Sequence, residues 1–281
     1  MAPKRLTIVV LAAFVFTLML LHLALRLRST YRMLNRPSPE QAPPNCFAVV
    51  TLLLGGDETA MQLIPRGIQC LKMLARRLPT HIARVCLYDK HIQLDSSVDG
   101  WEMVPVSPIL APHGDVSNHY TSAGVYTKLH IWNQTAYEAV LYLDLDTLPL
   151  SSIYPIFEEL PHMETVGMVR DTLGASKGYN AGVMLIRPSA AEFKGLVNNI
   201  DMIQHTLDGA EQNYINVYFG SRIHELPSVW NVLNNDRTKH PVAWYAIEDR
   251  IAILHFVAKP WSPTQCLQDG VVDMCLVWHW L

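Results

Sequence analysis

From Phe47 onward, short apolar runs alternate with segments whose apolar residues recur every three or four positions, and this alternation restricts the chain to a layered α/β architecture. Residues 47–54 form one such run, closed by Gly55-Gly56. Ile64, Ile68, Leu71, Leu74 and Leu78 then fall on one helical face across residues 59–78. Residues 82–88, 140–143, 166–169, 183–186 and 251–256 read as further strands, and residues 126–137, 190–200 and 211–219 as helices. Strands alternating with helices predict a largely parallel, Rossmann-like mixed sheet flanked by helices, with ligands bound beyond the carboxyl ends of the strands. Residues 271–281, with Trp278 and Trp280, are expected to close the core as an apolar helix or strand.

The first 45 residues have a different character. Leu6 opens and Leu25 closes a run of 20 residues without Asp, Glu, Lys or Arg. At about 1.5 Å per residue, a helix of that length crosses the hydrocarbon core of a bilayer. A cleavable signal peptide is the competing reading, but its apolar core is shorter and ends in small residues, whereas this run ends in Arg-Leu-Arg. The expected organisation is a short tail at residues 1–5, one N-terminal transmembrane helix at 6–25, a stem at 26–45 and a catalytic domain at 46–281. Pro37, Pro39, Pro43 and Pro44 favour extended backbone in the stem. Lys4 and Arg5 are opposed by Arg26, Arg28, Arg32 and Arg36 beyond the run, so charge alone does not orient it.

The net charge of −3 divides unevenly, because residues 46–281 carry 16 basic and 24 acidic groups. Such a body repels a polyphosphate backbone, which excludes nucleic acid as a partner. Cys46, Cys70, Cys86, Cys266 and Cys275 have no C-x-x-C spacing, so neither a zinc ribbon nor a thioredoxin-type site is indicated. They read as buried thiols, with a Cys266–Cys275 bridge available if the body is lumenal. Asn133-Gln134-Thr135 has the form of an N-glycosylation triplet, set within the helix predicted for residues 126–137.

The chemistry concentrates where the apolar run Val140-Leu141-Tyr142-Leu143 stops at Asp144-Leu145-Asp146. Carboxylates at i and i+2 of an extended chain point to one side, and two such acids repel unless a cation or proton lies between them. Oxygen ligands of this kind suit magnesium or manganese, with coordination positions left for phosphate oxygens. Three readings stay open at this point. The pair belongs to a solvated turn, to a haloacid-dehalogenase-like phosphatase whose first Asp attacks phosphorus, or to a metal-dependent nucleotide-sugar transferase. The phosphatase also needs a later carboxylate pair; Asp269 and Asp273 have the spacing but follow no strand.

Five segments in order resemble glycosyltransferase family 8, the glycogenin-like enzymes, over residues 46–261. They are VVTLL at 49–53, YTKLHIW placing Lys128 sixteen residues before Asp144, NAGVMLIRPS at 180–189, DGAEQNYIN at 208–216 and HFVAKPW at 255–261. The resemblance implies a GT-A body that transfers a hexose from a UDP-sugar with retention of anomeric configuration, using Mn2+ or Mg2+. It implies His255 as third metal ligand beside Asp144 and Asp146, with Lys259 and Asp144 toward the diphosphate. Lys128 would face the phosphates or the transferred sugar. Thr51 and Leu52 would lie along base and ribose, or serve as core strand residues. Asn180 and Gln212 offer amides to sugar hydroxyls, Asp171 a further hydroxyl contact, and Asp208 and Glu211 acids near the anomeric carbon, with helix capping the other reading of Asp208.

A glycan, lipid or protein acceptor, a secretory-pathway membrane such as the Golgi with the catalytic domain lumenal, and compatibility with a homodimer complete what the resemblance implies. The chain departs from the family in three places. His119 stands where an Arg is usual, only Phe256, Val257 and Ala258 separate His255 from Lys259, and Thr238 stands where glycogenin glucosylates a Tyr, with Trp244 and Tyr245 out of register. Priming of glycogen on itself is therefore not expected, and a catalytically silent donor-binding homologue is the rival from another class.

Overall fold

The structure, a computed structural model, describes residues 15–21, 24, 46–54, 58–94, 98–111, 124–174, 178–206 and 209–278. Among these residues, seven strands make the main sheet: β1 (Phe47–Leu53), β2 (Ala83–Asp89), β3 (Glu102–Val106), β4 (Ala139–Leu143), β6 (Val166–Arg170), β7 (Tyr179–Ile186) and β8 (Ile223–Glu225), in the order β3-β2-β1-β4-β7-β6-β8. Only β7 runs against its neighbours, β4 and β6; the other pairings are parallel. Strand alternation feeds two cores. Val49 and Leu53 of β1 join Leu141 and Leu143 of β4 on one face, under Leu71 and Leu74 of helix α1 (Glu58–Arg77). Ala48, Val50, Val140 and Tyr142 face the other way, against the 3-10 helix Val125–Asn133 and helices α2 (Ala190–Asn199) and α3 (Ala210–Phe219). Each fully buried Leu of this kind contributes about 1.5–3 kcal/mol relative to exposure.

A small second sheet positions the chemistry. It comprises β5 (Thr147–Pro149), β9 (Val232–Leu233) and β10 (Ile253–His255), with β10 central, antiparallel to β5 and parallel to β9. A third apolar core lies behind it, joined by α5 (Pro241–Tyr245), α6 (Pro263–Gln268) and α7 (Val272–Trp278). The Cys266–Cys275 bridge is formed and ties α6 to α7, while Phe256 meets Trp278 edge-on at 4.7 Å between ring centroids. Cys46, Cys70 and Cys86 are free thiols; burial pushes Cys70, in α1, up to about 12, with the Asp146 charge adding to it. Helix α4 (Asp236–Lys239) supplies Arg237, whose guanidinium forms a buried fork with Asp273 of α7, Nη1 donating to Oδ2 at 2.9 Å.

Departures from the sequence reading have physical causes. Strand β3 was not expected, because an edge strand with Glu102 exposed and Pro105 inside it lacks an apolar run. The helix expected over residues 126–137 is a 3-10 helix ending at Asn133. Its residues are buried on nearly every side, so no amphipathic period selects an α-helix, and Gln134 N bonds Ile131 O across three residues. Asn133 therefore lies exposed at a helix end and not within one. Of the expected anchor, residues 15–21 and 24 are described as helical and exposed; the rest of it, the tail and the stem lie outside the described residues. Among those described, no helix is long and apolar enough to cross a membrane. His119, Asp208 and Trp280 also lie outside them.

Candidate active site

The two acids stand where the chain passes from one sheet to the other. Asp144 follows β4, and its backbone N–H donates to Gly182 O of β7 at 2.8 Å; its carbonyl accepts from Thr147 Oγ1 at 2.7 Å, turning the chain into β5. Asp146 is held from the far side, where its carbonyl accepts from Phe256 N at 2.9 Å just beyond β10. The antiparallel pairing of His255 with Thr147 brings the imidazole to the same place. Asp144, Asp146 and His255 each present one donor atom, all within 4.8 Å of one another. Two carboxylate oxygens and one imidazole nitrogen fit a manganese-type or magnesium-type cation, and the ammonium of Lys259 already bonds Asp146 Oδ2 there. Burial would raise the Asp146 carboxyl, but the charges of Lys259 and His255 outweigh it and hold that carboxyl far below the usual range.

Each of these side chains is fixed by a neighbour. Tyr142 OH donates to Asp144 Oδ1 at 2.5 Å from within the core, and burial followed by the Asp144 charge raises the phenol well above its ordinary value. His255 Nε2 lies 3.4 Å from Asp146 Oδ1, and Nδ1 lies 3.1 Å from Asn231 Oδ1. Gly182 of the NAGV segment makes room for this ring, since a β-carbon at that position would lie 2.8 Å from His255 Nδ1.

The site opens into a cavity of about 520 Å³ bounded on the far side by the start of α3. Lys128, buried in the 3-10 helix, reaches Asp144 Oδ1 at 3.2 Å and Glu211 Oε1 at 2.5 Å. Burial opposes its charge, but Asp144 and Glu211 prevail and hold the ammonium above its usual value. Asp171 Oδ1 accepts from Asn180 Nδ2 at 2.7 Å and Oδ2 from Gln212 Nε2 at 3.3 Å, while Gln212 Oε1 accepts from Ala181 N at 2.9 Å. Ala210, one residue before Glu211, has φ of 47°, the single left-handed non-glycine among the described residues. Such strain clusters at ligand sites. Thr51 and Leu52 are both buried in β1 and do not line this cavity; Thr51 Oγ1 has no hydrogen-bond partner among the described residues.

Against this geometry, a sequence model described as Glycosyl transferase family 8 matches residues 109–265, more than half of the chain. The chain belongs to glycosyl transferase family 8. Similar proteins include inositol phosphorylceramide glucuronosyltransferase 1 of Arabidopsis thaliana, 25% identical over 203 residues that make up 64% of this chain and 36% of that protein. Mouse glycogenin-1 is 30% identical over 154 residues, covering 52% of this chain and 44% of its own. The chain thus spans less than half the length of either relative. The crystal structure of the glycosyltransferase GlyE from Streptococcus pneumoniae TIGR4 superposes with a TM-score of 0.57 at 17% identity, over 84% of this chain and 63% of that one, which identifies the GT-A-like fold.

As a family 8 glycosyltransferase the chain has no use for the phosphatase reading, and the carboxylates that reading needs are engaged elsewhere. Asp273 pairs with Arg237, and Asp269 accepts from Asn235 Nδ2 at 3.5 Å. The fold brings together nine of the residues singled out from sequence: Lys128, Asp144, Asp146, Asp171, Asn180, Glu211, Gln212, His255 and Lys259 sit in or around one cavity. Tyr142 and Asn231 were missed. Tyr142 OH accounts for one lone pair of Asp144, and its only sequence signal was its i−2 spacing from that residue.

Proposed function

We propose that this family 8 member transfers a hexose from a UDP-sugar to an acceptor hydroxyl, with metal dependence and retention of anomeric configuration. The observation that carries the reading is the meeting of Asp144, Asp146 and His255 beside Lys259, at one end of a cavity whose other end holds Glu211, Asp171 and Gln212. Breaking the bond from the anomeric carbon to the β-phosphate leaves negative charge on the diphosphate and positive charge on the sugar. A divalent cation at the three ligands would supply Lewis-acid stabilisation of the departing diphosphate. Lys259 adds a mobile positive charge on that side. Glu211 and Asp171 present negative charge to the sugar, and Lys128 lies between Glu211 and Asp144, where it keeps two acids apart and faces the bond that breaks. Gln212 and Asn180 hold amide groups toward the sugar hydroxyls, while Thr51 and Leu52, buried in β1 and outside the cavity lining, serve as core strand residues.

Binding and turnover test this separately. With Mn2+ present, UDP at about 100 times its Kd should stabilise the protein by about 2.7 kcal/mol in thermal unfolding, and a UDP-hexose should be hydrolysed slowly without acceptor. Stabilisation without hydrolysis of any of a panel of UDP-sugars would favour the silent homologue; absence of stabilisation would refute the donor site.

We further infer that the body lies in the lumen of a secretory compartment such as the Golgi, held there by residues 6–25. The Cys266–Cys275 bridge supports this, since disulfides persist in oxidising compartments. In sealed vesicles the body should resist added protease until detergent is present, and digestion without detergent would contradict the placement.

A further inference from the structure

Buried amides tie the sugar end of the cavity to the candidate metal ligand. Asn180, Asn231 and His255 are 8%, 3% and 6% exposed, so their polar atoms must find partners within the protein. An amide's oxygen and nitrogen are assigned from the groups they meet, and here a backbone group settles the whole chain of assignments. Gly182 N–H can only donate, and it donates to the Asn180 side chain at 2.9 Å. The atom it meets is therefore Oδ1, and Asn180 Nδ2 turns to Asp171. Asn231 approaches the same Asn180 oxygen at 2.8 Å, so it does so with its NH2. What Asn231 then turns toward His255 is its own oxygen, 3.1 Å from Nδ1. That oxygen only accepts. Nδ1 must carry the hydrogen, so in the neutral ring the lone pair falls on Nε2, on the side of Asp146.

We propose that Asn231 is a positioning residue that fixes His255 as the Nδ1–H tautomer and aims Nε2 at the cation site. The inference rests on the reading of Asp144, Asp146 and His255 as that site. Topology makes the placement rigid: Asn231 immediately precedes β9, which pairs in parallel with β10, and Asn234 N bonds His255 O at 2.8 Å. A metal-binding imidazole whose other nitrogen is held by an acceptor keeps both its tautomer and its ring angle, and removal of such an acceptor typically weakens metal binding about 10–100-fold. The chain of bonds also runs on to Asp171 and Gln212, so the ring is braced by residues that line the sugar end.

Two readouts test this without turnover. Long-range 1H–15N spectra of the metal-free protein at alkaline pH, with the His255 signal assigned by its loss in His255→Gln, should show protonated Nδ1 and bare Nε2. In Asn231→Leu, which matches the size of the side chain but not its polarity, the tautomer preference should be lost. Free Mn2+ measured by electron paramagnetic resonance should then report affinity about 10–100-fold weaker than wild type, with circular dichroism confirming the fold. An Nε2–H tautomer in the wild type overturns the proposal, as does an Asn231→Leu protein that keeps wild-type tautomer and Mn2+ affinity. If that variant does not fold, the wild-type spectrum decides alone. A wild-type protein with the Nδ1–H tautomer that binds no Mn2+, with or without UDP, would instead remove the cation-site reading and leave the tautomer assignment standing.

Discussion

Lys128→Met is expected to destabilise the protein by about 3–5 kcal/mol at neutral pH, the usual consequence of removing one partner from a buried ionic group. Methionine preserves most of the side-chain length and the packing over the Tyr142 ring, which the ammonium approaches to 5.2 Å. The missing feature is the charge, which meets Asp144 at 3.2 Å and Glu211 at 2.5 Å. Without it, two carboxylates confront one another in a poorly solvated site, and their proton affinities rise. The sign of the pH effect follows. The wild-type lysine has a raised folded pKa, so its contribution is fully present below the unfolded value of about 10.4 and is lost only as pH rises through the folded one. Between weak acid and weak base that contribution is constant, and any pH dependence of the difference comes from the carboxylates of the variant. They bind protons more tightly in the folded variant than in its unfolded chain, so the variant regains stability as pH falls toward the ordinary carboxylate range. Urea unfolding at pH near 5 and near 8 measures the effect. A gap of equal size at both values would mean that lost packing, and not exposed repulsion, dominates. Transfer activity should be lost with the charge, because Lys128 lies between the metal-side and sugar-side acids.

What could be foreseen in this chain depended on whether a residue left a pattern in its own neighbourhood. β1 and β4 are buried on both faces and read as continuous apolar runs, so their positions were legible within a residue, whereas β7 opens with Tyr179-Asn180-Ala181-Gly182 and only its apolar second half, 183–186, was legible. β5 and β9 of the second sheet have 3 and 2 residues and β8, at the edge of the main sheet, has 3, too few for any period, so of the second sheet only β10 was foreseen, within the run at 251–256. The acids at 144 and 146 were legible because they interrupt such a run. Lys128 sits in a segment whose helical period is weak, and only the family resemblance singled it out. Asn231 had no signal at all: a lone amide between Trp230 and Val232 belongs to no motif, and its importance arises from pairings with residues 51 and 24 positions away. Asn180 shows the reverse case. It was expected to offer its whole amide to a sugar, but its oxygen already accepts from Gly182 and Asn231, which leaves one N–H for a ligand.

Asp146→Asn should separate charge from shape at the other end of the site. The backbone bond from Phe256 N to the carbonyl of residue 146 does not involve the side chain, so the join between β5 and β10 should persist and the variant should fold. Its amide cannot offer a negative ligand, and its nitrogen would turn a donor toward Lys259 or His255. Mn2+-dependent hydrolysis of a UDP-hexose should fall by at least about 10²–10³-fold, the range seen when one group that stabilises transition-state charge is removed. The stabilisation by UDP and Mn2+ together should fall with it. Stability without ligand changes in a defined direction. Lys259 and His255 depress the wild-type carboxyl, so its contribution is present above the unfolded value of about 3.9 and is lost as pH falls through the lower folded value. The wild type should therefore exceed the variant at pH 7, with the gap closing only in strong acid, whereas the Lys128→Met gap narrows already on approach to the ordinary carboxylate range. The two substitutions act on one cavity through charges of opposite sign, and their different acid responses distinguish an unpaired lysine from two unpaired acids. Wild-type turnover in Asp146→Asn at saturating Mn2+ would exclude this carboxylate from the metal site and leave its contact with Lys259 as a structural ion pair.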